Sequence, residues 1–138
     1  MNLKKPNILV VEDNRVNALV VQNFLKKLGL DSEWVVDGLK ALIRIQNNPN
    51  IDLIFMDLSM PLMDGFEATL KIREFEQAQQ LPKTLIIALT AHASRCEIER
   101  CFEVGMQAHL SKPILIEVIA HTLEVVCGYS VAKNGFLH

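Results

Sequence analysis

"DLIFMDLSMPLMDG", residues 52–65, carries an almost wholly apolar run into Asp57 and follows it with a proline, two further methionines and Asp64-Gly65. A short run without polar alternation suits a strand buried on both faces, the pattern of parallel sheets covered by helices. Such a strand ending on a carboxylate places a charge at the edge of a core. Two runs of the same kind, "NILVV" at 7–11 and "TLIIAL" at 84–89, and a weaker "AHL" at 108–110 extend the pattern, while "SEWVV" at 32–36 fits an edge strand.

Helical periodicity fills the gaps. Val21, Phe24, Leu25 and Leu28 recur at three-four spacing and stop at Gly29; Leu39, Leu42 and Ile43 follow Asp37-Gly38; Ile98, Cys101, Phe102 and Gly105 repeat the pattern. Another helix opens at Asp64-Gly65, with Asp64 read as its N-cap, and closes before Pro82. The last begins after Pro113 and runs to about Cys127, with Leu115, Ile119, Leu123 and Val126 as its expected core stripe and Glu117, His121 and Glu124 on a polar face. Ile116, Val118 and Val125 are surplus to that stripe, which points to an interface on the fourth and fifth helices, with a partner or a second copy. A β-α unit repeated five times predicts a doubly wound α/β fold, a five-stranded parallel sheet of flavodoxin-like type. Ligands then bind beyond the carboxyl ends of the strands, where the winding reverses.

With 138 residues, half of them hydrophobic, the chain has room for one domain. Residues 7–127 are expected to form it, between a short tail at 1–6 and a C-terminal tail, "GYSVAKNGFLH" at 128–138, expected to fray. A net charge of −2 without a long basic run argues against direct nucleic-acid binding. No stretch has the length of a membrane span, and "MNLKKPNILVVED" reaches acid before a signal-type apolar region forms, so no membrane insertion is expected. The expected setting is the cytosol, or its face of a membrane if the chain is tethered there. Cys96, Cys101 and Cys127 form no metal or disulfide pattern and are expected to be buried or half-buried apolar residues.

The strand ends bring chemistry together. Glu12 and Asp13 follow the first run, Asp57 the third, Thr90 the fourth and Lys112 the fifth, so three carboxylates, a hydroxyl and an ammonium converge on one rim. Crowded acids repel unless a cation joins them. Mg²⁺, held by Asp13 and Asp57 directly and by Glu12 through water, suits that donor set. With the ion, Lys112 and Thr90 would neutralise the oxygens of a phosphoryl group in flight, and Asp57, at the middle of the rim, is the carboxylate placed to form an aspartyl phosphate.

These motifs, "VVEDN" (10–14), "MDLSMPLMDG" (56–65), "ALTA" (88–91) and "LSKP" (110–113), in this order over residues 7–127, resemble the receiver domains of two-component response regulators. The wordings "VEDNRVNALVVQNFLKKLG", "MPLMDGFEA" and "GMQAHLSKPI" are most similar to receivers of hybrid sensor histidine kinases, rather than to those fused to DNA-binding output domains. The resemblance implies that Asp57 takes a phosphoryl group from a phosphohistidine on a histidine kinase or histidine phosphotransfer protein. It also implies that the backbone carbonyl of Ser59 joins the Mg²⁺ ligands, and that the Lys112-Pro113 bond is cis. Such a chain is a stand-alone regulator or a receiver cut from a larger kinase.

One departure concerns the switch. Receivers commonly carry Tyr or Phe three residues before the lysine, rotating inward as the Thr90 position moves to the phosphoryl group; here that position is His109. A histidine would make the switch pH-sensitive, and identical phosphorylation-induced shifts at pH 6 and pH 8 would count against this. His92 either lies exposed on its loop or lines the path of the water that hydrolyses the acyl phosphate. Three rival readings fit less well. A Mg²⁺-dependent phosphatase similar to the haloacid-dehalogenase group needs an acid at Ser59; a pseudo-receiver usually lacks the acceptor or the lysine; a flavodoxin-type cofactor binder needs a hydroxyl-rich loop after the first strand.

Overall fold

The computed structural model describes residues 5–130. In chain order its elements are β1 (Ile8–Val11), α1 (Arg15–Lys27), β2 (Ser32–Val35), α2 (Gly38–Asn47), β3 (Leu53–Asp57), α3 (Gly65–Ala78), β4 (Leu85–Thr90), α4 (Arg95–Val104), β5 (Ala108–Ser111) and α5 (Ile116–Cys127). The sheet is parallel throughout, in the order β2-β1-β3-β4-β5, with the "SEWV" strand at one edge as expected. The chain winds outward from β1 to β2, then returns to the other side of β1 for β3, so the winding reverses between β1 and β3.

Side chains of successive strand residues point to opposite faces, and here both faces are covered. Ile8, Val10, Leu53, Phe55, Ile87 and Leu89 pack with Val21 and Leu25 of α1 and Ile119 and Leu123 of α5. Leu9, Val11, Ile54, Met56, Ile86 and Ala88 pack with residues of α2, α3 and α4 on the other side. That two-sided burial is why the strands read as unbroken apolar runs.

The helix starts are set by side chains that accept a backbone N–H: Asn14 from Asn17, Asp37 from Lys40, Asp64 from Glu67 and Ser94 from Glu97. Asp64 is thus the N-cap its place before Gly65 suggested. Gly65 is needed for space, since a Cβ there would lie 2.5 Å from the carbonyl oxygen of Asp57. The start of α3 is therefore pressed against the end of β3.

Four expectations are corrected. On α2 the buried residues are Gly38, Ala41 and Ile45, whereas Leu39 and Ile43 are exposed. The helix comes so close to Ala68 of α3 and Met63 that a Cβ on Gly38 would sit 2.9 Å from each, so small residues form the contact face. On α5, Leu115 is the extended N-cap and is exposed; the buried residues are Ile119, Thr122 and Leu123, with Val126 only half-buried. Thr122 tolerates burial because its hydroxyl donates to the Val118 carbonyl at 2.7 Å. Cys96 is exposed, in contrast to buried Cys101 and half-buried Cys127. Finally, the tail does not fray at its start: Gly128 (φ +71°) turns the chain, Tyr129 is buried in the α1–α5 core, and its hydroxyl donates to the Leu28 carbonyl at 3.5 Å. The rest of the expected frayed segment, 131–138, lies outside the described residues, as do residues 1–4.

Candidate functional site

Register carries the acids to one place. Val11 of β1 is paired with Met56 of β3, so Glu12 and Asp57, the next residue on each strand, emerge together at the carboxyl rim. Across β3 and β4, Asp57 is paired with Leu89, and across β4 and β5, Thr90 with Ser111; Thr90 and Lys112 thus follow one step later. The Lys112 N–H donates to the Thr90 carbonyl at 2.8 Å, which fixes the lysine beside β4. The Lys112-Pro113 bond is cis.

At the rim, one carboxylate oxygen from each of Glu12, Asp13 and Asp57 lies within 4.8 Å of the others. Glu12 and Asp57 are buried, at 1% and 2% exposure, while Asp13 is open to solvent. Lys112 reaches between the two buried acids, its Nζ 3.1 Å from Glu12 Oε1 and 3.3 Å from Asp57 Oδ1. The backbone N–H of Ser59 donates to the same Asp57 oxygen at 3.2 Å, and the Asn14 N–H to Glu12 Oε2 at 3.1 Å.

One ammonium does not balance three acids. Burial, with Asp57 next to it, pushes the Glu12 carboxyl up to about 7, against the pull of the Asn14 N–H and of Lys112. Burial also works against the Lys112 ammonium, but the charge of Asp57 and the hydrogen bond to Glu12 outweigh it and raise its pKa. The rim is thus a site short of positive charge. Its donor set fits a hard divalent cation: carboxylate oxygens, with Asp13 on the open side, where waters would complete a shell.

The remaining expected residues stand as follows. Thr90 is buried at the end of β4, and its hydroxyl donates to a carboxylate oxygen of Glu97 in the first turn of α4. His92 is exposed on the following loop, and its N–H donates to Thr90 Oγ1 at 3.0 Å. His109 is half-buried in β5, paired with Ala88, on the opposite strand face from Leu110 and so toward α4.

Two contacts were not legible in the sequence. Trp34, on the edge strand, donates its indole N–H to the Glu12 carbonyl at 2.8 Å and so holds the turn that carries the acidic pair. Glu97 reaches Thr90 from seven residues away. An indole beside an apolar strand gave a weak signal for the first; the second depends on the path of the β4–α4 loop, which no periodicity reveals.

Comparison with known proteins fits this geometry. The response regulator receiver domain family matches residues 8–124. The hybrid signal transduction histidine kinase L of Dictyostelium discoideum is 39% identical over 130 residues, covering 93% of this chain but only 7% of that protein. Among solved structures, the receiver domain of a sensor histidine kinase from Pseudomonas aeruginosa PAO1, with a magnesium ion coordinated in its active site cleft, is 36% identical with a TM-score of 0.78, over 91% of this chain and 100% of that one. A Saccharomyces cerevisiae complex of a histidine phosphotransfer protein with the receiver domain of its downstream response regulator matches at 26% identity and a TM-score of 0.79, over 96% and 100% of the two chains. With five parallel strands wound in this order and an acidic rim at the reversal point, the chain belongs to the response regulator receiver domain family, the phosphorelay domain found in hybrid histidine kinases and response regulators.

Proposed function

We propose that Asp57 accepts a phosphoryl group from a phosphohistidine on a histidine kinase or histidine phosphotransfer protein, with Mg²⁺ as cofactor. The observation that carries this reading is the rim itself: Asp57 lies buried among two more carboxylates and is bridged to one of them by Lys112. Lys112 and the Ser59 N–H both fall on Asp57 Oδ1, which fixes the plane of the nucleophile. A carboxylate oxygen attacks phosphorus as the P–N bond to the donor imidazole breaks, and the electron pair returns to the ring nitrogen, which takes up a proton. Lys112, already at Asp57, follows the transferred oxygens, and the Thr90 hydroxyl supplies a further donor. Glu12, Asp13, Asp57 and the Ser59 carbonyl would hold the Mg²⁺, which when bound supplies the charge the rim lacks.

The chain thereby acts as a stoichiometric phospho-acceptor that catalyses its own phosphorylation and slow hydrolysis, without turning over an external substrate. A donor imidazole has to reach the rim; Val16, Leu19 and Val20 on α1 are exposed, and Val20 lines a cleft that also includes Glu12, Lys112 and Ile114. Phe102 on α4 and Val118 and Val125 on α5 are also exposed. They support the α4–α5 face as the output or self-association surface, with His109, toward α4, as the switch residue. Sedimentation velocity with and without phosphorylation tests self-association. Among the described residues no helix is long and apolar enough to cross a membrane.

Intact mass after incubation with acetyl phosphate or phosphoramidate, with and without Mg²⁺, tests the reading. One added phosphoryl group that needs Mg²⁺ and disappears in Asp57→Asn supports it; folded protein that takes up none contradicts it.

A further inference from the structure

The hydroxyl that the phosphoryl group on Asp57 needs is already engaged. Thr90 is buried, at 4% exposure, and a buried hydroxyl has to donate to something. Two acceptors are within reach: a carboxylate oxygen of Glu97, and the His92 carbonyl at 3.0 Å. The His92 N–H, also at 3.0 Å, takes up a lone pair of the same oxygen. A threonine hydroxyl carries one proton and makes one donor bond at a time. Between a carboxylate and a backbone carbonyl, the carboxylate is the stronger acceptor. The only acceptor of comparable strength brought to this rim by phosphorylation is the phosphoryl group itself, so Glu97 and the phosphoryl group compete for one proton.

We infer that Glu97 is a positioning residue, which holds the Thr90 hydroxyl toward α4 in the unphosphorylated chain and is released when the phosphoryl group takes that proton. The inference rests on the reading of Asp57 as the acceptor. Its consequence is local to the start of α4. The far end of that helix is tied down separately, where Arg73 donates to the Gly105 carbonyl at 2.7 Å, and its middle is held by buried Cys101 and by Arg100 stacked 4.1 Å over the Phe66 ring. At the first turn, Ser94 accepts the Glu97 N–H at 3.2 Å, and the Glu97 side chain adds the link to Thr90. Phosphorylation therefore loosens one end of α4 and leaves the other anchored, which gives the rim a direct mechanical route to the α4 surface.

Glu97→Met removes the acceptor while keeping the side-chain length, and Glu97→Gln keeps a neutral acceptor. Two readouts on the full chain separate positioning from plain stability: backbone amide shifts of residues 92–98 in the unphosphorylated protein, compared with those of protein treated with beryllofluoride and Mg²⁺, and the initial rate of phosphorylation by acetyl phosphate. Glu97→Met is expected to move these shifts toward the beryllofluoride positions and to raise the rate about fivefold, with Glu97→Gln between it and the parent. In a Thr90→Val background, Glu97→Met should change neither readout. Parent-like shifts and rate in Glu97→Met or, should that variant fail to fold, in Glu97→Gln overturn the inference, as does an equal change in the Thr90→Val background. Parent protein that acetyl phosphate does not modify and beryllofluoride does not shift overturns the reading of Asp57 as well; parent protein that is modified normally confines the failure to Glu97.

Discussion

The two ends of the sheet both bury charge, and they do so in opposite ways. At the amino end, Arg73 of α3 lies 2.7 Å from Glu76, and its guanidinium also donates to the carbonyls of Thr84 and Gly105, each at 2.7 Å. The second oxygen of Glu76 accepts the Thr84 N–H at 2.8 Å. Cation and anion are matched and fully hydrogen-bonded, which fastens α3 and the end of α4 to β4. At the carboxyl end, one lysine faces three acids, and Glu12 sits at about 7. The two clusters thus share burial and differ in charge balance: the one at the ends of several strands is uncompensated. The matched cluster is built to stay as it is; the unmatched one is left short of positive charge, as the proposed reading of Asp57 as a Mg²⁺-assisted phospho-acceptor requires.

Breaking the matched cluster should produce the largest loss of stability. Arg73→Met leaves Glu76 buried without its cation and is expected to cost about 3–5 kcal/mol by chemical denaturation, while protein still folded at low temperature keeps its phosphorylation at Asp57. The opposite separation is expected at the rim. Asp57→Asn removes one of three crowded acids, so in divalent-free buffer at pH 8 the folded state is at least as stable as the parent, although phosphorylation is lost.

The pH dependence sharpens the same contrast. Because the fold holds Glu12 at about 7 against an ordinary 4.5, it favours the neutral acid. That contribution is complete below pH 4.5 and is lost as pH rises through about 7, on the order of 3 kcal/mol in the absence of divalent ions. Denaturation curves from pH 4.5 to 8 should show this decline in the parent and not in Glu12→Gln. Mg²⁺ should restore the stability lost at the upper end, by about 2.7 kcal/mol at a hundredfold excess over its dissociation constant, and Asp13→Asn should weaken that gain.

A smaller effect tests how tightly Asp57, the proposed nucleophile, is seated. Gly65→Ala places a methyl group 2.5 Å from the Asp57 carbonyl oxygen, which has to give way. A loss of about 1–2 kcal/mol is expected, with slower phosphorylation than an equally destabilising substitution in the Arg73 cluster. Equal rates for the two would show that the seating of α3 against β3 does not matter to the chemistry.

How much of this was legible in the sequence differs between the sheet and the helices. Strands buried on both faces leave a signal that needs no neighbour to interpret, so the sheet, and with it the convergence of Glu12, Asp13, Asp57, Thr90 and Lys112, could be read directly. Helix faces depend on what they meet. On α2 the close approach to α3 selects Gly38 and Ala41, whereas hydrophobicity points to Leu39 and Ile43. On α5 the helix begins one residue after Leu115, which leaves that leucine exposed. Tyr129 escaped notice because a turn at Gly128 folds it back into the core. The contacts of Glu97 with Thr90 and of Trp34 with Glu12 arise where loops or edge strands meet the rim, and local pattern holds no trace of such meetings.

The claim that the uncompensated rim exists to phosphorylate Asp57 is tested most directly by locating the modified residue. After phosphorylation by acetyl phosphate with Mg²⁺, borohydride reduces an aspartyl phosphate to homoserine, which tandem mass spectrometry of the peptides spanning residues 6–15 and 52–65 assigns to a position. Homoserine at position 57 alone, absent without Mg²⁺, is the result this account predicts; modification at Asp13, Asp52 or Asp64 instead, or none in folded protein, would contradict it.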